Sequence, residues 1–151
     1  MADWHPTAYR THTLGEIQDK GADLVGTEVT VCGFMEANRG KGAICFVDLR
    51  DGTGKLQVFL KGDTIGEEQL DLVQRMTRES TLQFTGNVAQ KRPPKVKEGE
   101  TPPPPAYEVV ATNVNVLTRA NVPLPLGITD TVSIGLDTRL DNRFLDLRRA
   151  H

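Results

Sequence analysis

The alternation of apolar and polar positions changes character near residue 27. Up to Gly26 the chain is mixed and polar, with Leu14, Ile17 and Leu24 as a short apolar helical hint, and it reads as an arm or a first helix. From Thr27 to Leu60 three alternating, β-branched stretches follow, TEVTVCGFME, GAICFVDLR and KLQVFLK, separated by NRGKG and DGTG; they predict three strands. The Asp51-Gly52 pair between alternating runs signals a hairpin, because glycine accepts the positive φ of tight or bulged loops, so the second and third strands should be antiparallel neighbours. GEEQLDLVQRMTRES sets Leu70, Val73 and Met76 at helical spacing, with Glu67 and Glu68 at the positive end of the helix dipole. STLQFTGNVAQK and AYEVVATNVNVL then read as the fourth and fifth strands, giving the order β-β-β-α-β-β.

Prolines mark what lies between and beyond these elements. Six of the nine fall between Pro93 and Pro105, where missing ladder donors exclude a central strand. With Lys91, Arg92, Lys95 and Lys97 this is a long, basic, extended loop, read either as a plain linker or as a second contact to phosphate. After Leu117 further prolines precede the charged run LDTRLDNRFLDLRRAH, which falls outside the strand pattern. The expected organisation is an arm over 1–26, a barrel over 27–118 and a linker over 119–151. Five strands with one short helix between strands three and four is the order of an all-β, five-stranded OB-fold Greek-key barrel, a fold that holds oligonucleotides on its face and loops.

Composition narrows the classes. At 151 residues, 38% hydrophobic and 25% charged, the chain suits one small fold with appendages rather than a disordered segment. No apolar run reaches the roughly 20 residues of a membrane span, and the opening MADWHPTAYR lacks a signal-peptide pattern, so a cytoplasmic setting is expected. The net charge of -2 argues against a protein that coats nucleic acid indiscriminately, which leaves a local basic groove as the place to look. Cys32 and Cys45 have neither CxxC spacing nor nearby histidines and read as buried thiols, with no metal site.

Strand periodicity provides a test for such a groove. In the second strand Cys45, Val47 and Leu49 form a uniformly apolar face, and in the third Leu56, Val58 and Leu60 do the same. Ile44, Phe46, Asp48 and Arg50, with Lys55, Gln57, Phe59 and Lys61, are left on the opposite face. A two-residue loop would set Phe46 across from Gln57 and a four-residue loop across from Phe59. Aromatic rings beside an amide and cations are suited to single-stranded nucleic acid, because rings stack on bases, amides read base edges and cations hold phosphates. Arg39 and Lys41, in the glycine-flanked segment before the second strand and read as a loop, would supply phosphate contacts, or Arg39 would stack through its guanidinium plane. The alternative is that the arm or the proline-rich loop covers Phe46 and Phe59.

Catalytic constellations are absent. Asp48 and Asp51 are the only close carboxylates of this region, but Asp51 is needed by the turn and Asp48 has basic neighbours to pair with. His5, His12 and His151 are scattered through the ends, and no nucleophile-base pair, zinc motif or phosphate-cradling glycine loop is present. No catalytic residue is assigned.

The stretch VTVCGFMEANRGKGAICFVDLRDGTGKLQVFL resembles the anticodon-binding OB domain of class IIb aminoacyl-tRNA synthetases, and LDTRLDNRFLDLRR resembles the linker before their catalytic domain, in its aspartyl version from archaea and the eukaryotic cytosol. Tyr9–His12 and Val122–Leu126 are also similar to this family, and the proline-rich loop matches least. The resemblance implies that Phe46 stacks on the central anticodon base and that Gln57, eleven residues on, bonds a base edge; Arg39, seven residues before Phe46, and Glu108, on the last strand, complete the set. It implies a parent enzyme, a homodimer, that charges tRNA-Asp with aspartate using ATP and magnesium. The chain ends before the segments that would carry that chemistry, so it is expected to bind the tRNA-Asp anticodon loop without charging it, with no cofactor of its own. A general single-strand-binding OB protein and a protein-interaction module are the alternatives.

Overall fold

A computed structural model describes residues 7–93, 103–128 and 133–149. Five strands, β1 (Glu28–Lys41), β2 (Ile44–Arg50), β3 (Lys55–Lys61), β4 (Thr81–Gln90) and β5 (Tyr107–Thr118), close into a barrel in the order β1-β2-β3-β5-β4, with helix α1 (Leu14–Leu24) ahead of them. The expected helix between β3 and β4 is present in two pieces, α2 (Gly62–Ile65) and α3 (Glu67–Gln74). They break at Gly66, whose φ of 89° is open to glycine and costly for other residues. Leu70 and Val73 are buried as expected, and Met76 is buried just beyond the helix.

The two apolar faces expected of β2 and β3 are the core. Cys45, Val47, Leu49, Leu56, Val58 and Leu60 are buried, joined by Val29, Val31 and Met35 from β1, Leu82, Phe84 and Val88 from β4, and Val109 and Ala111 from β5. Interdigitated aliphatic side chains from all five strands leave no room for a polar interior. Cys32 departs from expectation: it lies on the outer parity of β1 and is only partly buried, whereas Cys45 is fully inside.

Helix α1 adds Leu14 and Ile17 to this core. Thr13 caps it, its hydroxyl accepting from the Glu16 amide while the Glu16 carboxylate accepts from the Thr13 amide at 2.8 Å. The β2-β3 turn completes the cap. Asp51 accepts from the amide of Leu14 at 3.0 Å, Thr53 Oγ1 accepts from the amide of Gly15 at 2.9 Å, and the other Asp51 oxygen bonds the amides of Thr53 and Gly54. Asp51 is therefore fully engaged in structure. Nearly two turns further along, Gly21 lies so close to the Tyr107 ring that an added Cβ would fall 2.1 Å from it.

Register is set by a bulge. Phe34 and Met35 pair with Arg50 and Leu49, but the next pairing is Ala37 with Asp48, so Glu36 is the extra residue. Before it, the odd residues of β1 point inward and the even ones outward; after it the parity reverses. Arg39 and Lys41, expected in a loop, thereby become strand residues on the outer face, opposite Phe46 and Ile44. Asn38 turns toward α3, where its amide donates to the carbonyls of Val73 and Gln74 at 2.9 and 3.0 Å and satisfies the helix end.

The described residues divide into two compact units, the first ending at Ala120 and the second beginning at Asn121. In the second lie helices α4 (Leu136–Asp141) and α5 (Arg143–Asp146), and Leu145 of α5 forms a small buried cluster with Leu126 and Ile128 of the segment before them. The charged run is not simply solvated. Asp146 is buried and is bonded by Arg139 at 2.8 Å and Arg143 at 2.9 Å, and the bond from Arg139 is the main reason its carboxyl is held below the ordinary aspartate value. Most of the proline-rich loop, residues 94–102, lies outside the described residues.

Candidate nucleic-acid interface

Cross-strand register builds the outer face in rows. The four-residue connection after Arg50 sets Arg50 against Lys55, so Phe46 lies opposite Phe59 and Asp48 opposite Gln57. Combined with the β1-β2 and β3-β5 pairings, one row runs Arg39, Phe46, Phe59, Val110, and the next runs Ala37, Asp48, Gln57, Glu108. Neighbouring strands stand about 4.8 Å apart, so each row is a ladder of side chains at nearly the spacing of stacked rings.

The aromatic pair forms the floor. Phe46 and Phe59 are each half-buried, with ring centroids 5.0 Å apart and planes tilted by 35°. A pair of this kind supports itself by edge and offset contacts, and its outward faces remain apolar and flat. The described part of the arm is hydrogen-bonded elsewhere: the Thr11 amide to the Thr30 carbonyl on β1 at 2.9 Å, and the Gln83 amide on β4 to the Tyr9 carbonyl at 2.9 Å.

Beside the rings lies a polar chain. Gln57 Nε2 donates to Glu108 Oε2 at 2.8 Å, and Arg39 donates to Asp48 Oδ1 at 2.9 Å and, at 3.5 Å, to Gln57 Oε1. An ionised carboxylate only accepts, so Glu108 holds the Gln57 NH₂ on its own side and leaves the carbonyl oxygen toward Arg39. Gln57 keeps one N–H and one lone pair for a base edge. The Arg39 side chain is 60% exposed and that of Asp48 33% exposed. An ion pair so open to solvent contributes about 0–1 kcal/mol, so Arg39 is cheaply transferred to a phosphate or a base.

Of the six side chains singled out, five meet in these two rows: Arg39, Phe46, Gln57, Phe59 and Glu108. Lys41 lies one row further on, with Ile44 and Lys61. The Lys61 ammonium pairs with Asp63 at 2.8 Å, which raises its pKa and lowers that of Asp63. Asp48, set aside above as a surface ion-pair partner, proves to be the anchor of Arg39; its place opposite Gln57 is visible only once the turn length is known. Val110, the apolar neighbour of Phe59, was not singled out, because only the crossover pairing of β3 with β5 brings it there.

Among the described residues no group of three or more histidine, cysteine or acidic side chains converges to hold a metal ion, and no described helix is long and apolar enough to cross a membrane.

A closed five-stranded barrel with rings, an amide and cations on one outer face defines a nucleic-acid-binding barrel. Residues 29–117 match the tRNA anti-codon family, described as the OB-fold nucleic acid binding domain, and the chain belongs to that family. It is 40% identical over 141 residues to the aspartate--tRNA(Asp/Asn) ligase of Methanosarcina barkeri, a match that covers 93% of this chain and 30% of that protein. Among solved structures, the aspartyl tRNA synthetase of Entamoeba histolytica superposes with a TM-score of 0.74 at 27% identity, over 98% of this chain and 35% of that one. The asparaginyl-tRNA synthetase of Pyrococcus horikoshii gives 0.63 at 25% identity, over 84% of this chain and 27% of that one. The chain thus spans about a third of the length of these relatives.

Proposed function

We propose that this chain is the anticodon-reading module of an aspartate-tRNA ligase. Bases of an opened anticodon loop stack on Phe46, with Phe59 behind it, while Gln57, Arg39 and Glu108 read base edges and Lys41 meets the phosphates. Residues 27–118 form the module, 1–26 its arm and 119–151 the segment leading to a catalytic domain, within a cytoplasmic, homodimeric enzyme that uses ATP and magnesium. The observation that carries the reading is the pair of adjacent rows, rings in one and the Arg39, Gln57 and Glu108 chain in the other.

The division of labour follows from the chemistry. Stacking is worth roughly 1–3 kcal/mol per base and tolerates any base, so the ring supplies affinity. A wrong base leaves the polar chain with an unmatched donor or acceptor, which costs about 1–3 kcal/mol, so Gln57 and its neighbours supply discrimination.

The test is a titration of the chain with a stem-loop bearing the aspartate anticodon, with single-base variants of it and with an unrelated oligonucleotide, at two salt concentrations. Tighter binding of the aspartate stem-loop, weakened by single changes and by salt, supports the reading. Equal binding of every oligonucleotide makes the chain a general single-strand binder instead, and a lack of salt-dependent RNA affinity points to a protein partner.

A further inference from the structure

Glu36, the extra residue of the β1 bulge, is held from three sides. Its carboxylate contacts Arg50 Nε at 2.9 Å and Lys55 Nζ at 2.8 Å; the Arg50 contact is not aligned as a hydrogen bond, so charge attraction carries it. Its backbone carbonyl, left out of the strand ladder, accepts from Arg78 Nε at 3.0 Å. Arg50 in turn donates to both carboxylate oxygens of Glu79, at 2.9 and 3.1 Å. The side chains of Arg50, Glu36 and Glu79 are only 18%, 14% and 7% exposed, so these charges are screened far less than those of the Arg39-Asp48 pair.

The segment carrying two of these groups is itself fixed to the bulge. The Glu79 amide donates to the Met35 carbonyl at 2.7 Å, the Met35 amide donates to the Ser80 carbonyl at 2.9 Å, and Glu79 adopts a φ of 68°, costly for a residue with a side chain. A non-glycine residue held there, with its carboxylate on a shielded arginine, shows that the surrounding contacts overcome local preference.

We propose that this clamp of Arg50, Lys55, Arg78 and Glu79 on Glu36 is a positioning device for Arg39. It rests on the function proposed above and extends it to residues outside the two rows. The extra residue reverses the parity of β1, and this alone sets Arg39 rather than Asn38 across from Phe46. When the clamp loosens, the end of β1 loses the geometry that presents the guanidinium beside Gln57, and the RNA loses a contact although neither Glu36 nor Glu79 touches it.

A double-mutant cycle tests this. Glu36→Gln keeps the side-chain shape and removes the charge, and Glu79→Gly removes the second partner while relieving the left-handed backbone; each is combined with Arg39→Ala, with Phe46→Ala as a control. Stem-loop affinity should fall about threefold or more in the single clamp variants and hardly at all when Arg39 is already absent. The Arg39 Nε–H resonance of the RNA-free variants should shift by NMR. Equal losses with and without Arg39, or an unmoved Arg39 resonance, overturns the positioning role. An inert Phe46→Ala overturns the anticodon reading instead, and the Arg39 resonance still decides the clamp.

Discussion

Gln57 and Glu108 face each other across the parallel β3-β5 pair, amide nitrogen to carboxylate oxygen at 2.8 Å. The contact is local in space and distant in sequence, and on the function proposed above it fixes which end of the amide a base would meet. Glu108→Ala frees the Gln57 amide to rotate, so both donor-first and acceptor-first bases become acceptable. The ratio of affinities for the aspartate stem-loop and its best single-base competitor should fall about fivefold, the equivalent of one hydrogen bond of ~1 kcal/mol, while affinity for the aspartate stem-loop changes less. Parallel titrations of both RNAs measure it; an unchanged ratio removes Glu108 from the reading.

Phe46→Ala should weaken stem-loop binding by about 1–3 kcal/mol, the worth of one stacked base. The ring is half-buried against Phe59 and outside the barrel interior, so circular dichroism and the melting transition should remain those of a folded barrel. Fluorescence anisotropy at fixed salt gives the affinity.

Gly21→Ala tests how α1 docks. A methyl group there would sit 2.1 Å from the Tyr107 ring, and Tyr107 is buried in the core. Despite alanine's better helix propensity, urea unfolding should show a loss of about 1–3 kcal/mol from overpacking.

Glu16 supplies a pH-dependent contribution. The bond from the Thr13 amide is the largest cause of its lowered pKa, with the Thr13 hydroxyl, Lys20 and His12 acting the same way against partial desolvation. A carboxyl lowered on folding stabilises the native state above the unfolded glutamate value, and this is lost as pH falls through the lower folded value. Glu16→Ala should cost about 0.3–1.5 kcal/mol at neutral pH, and its difference from the parent chain should vanish in acid below the ordinary glutamate range. Urea melts at several pH values follow both; a difference that persists there unchanged removes Glu16 ionisation as the cause.

The alternation in β2 and β3 was readable because strand side chains have a period of two whatever the rest of the protein does. Cys45, Val47 and Leu49 had to share one face, and Phe46 and Gln57 the other. The sequence also carried Asp51 as a turn residue and the pairing of β2 with β3, both local facts. Choosing Phe59 over Gln57 as the partner of Phe46 needed the turn length, which the hydrogen bonds of Asp51 with the backbone and with α1 determine.

What strand periodicity could not contain is any break in the periodicity. Glu36 looks like an ordinary outward residue of an alternating run, and only the pairing of β1 with β2, in which it has no partner, reveals it as the bulge that brings Arg39 opposite Phe46. Glu108 likewise meets Gln57 through closure of the barrel, over a separation of 51 residues. By itself the sequence determined which residues share a strand face, since covalent geometry repeats every two residues. The tertiary structure decided which strands, and which parity after the bulge, meet on the proposed binding surface, because those depend on pairings between residues distant in sequence that form only when the barrel closes.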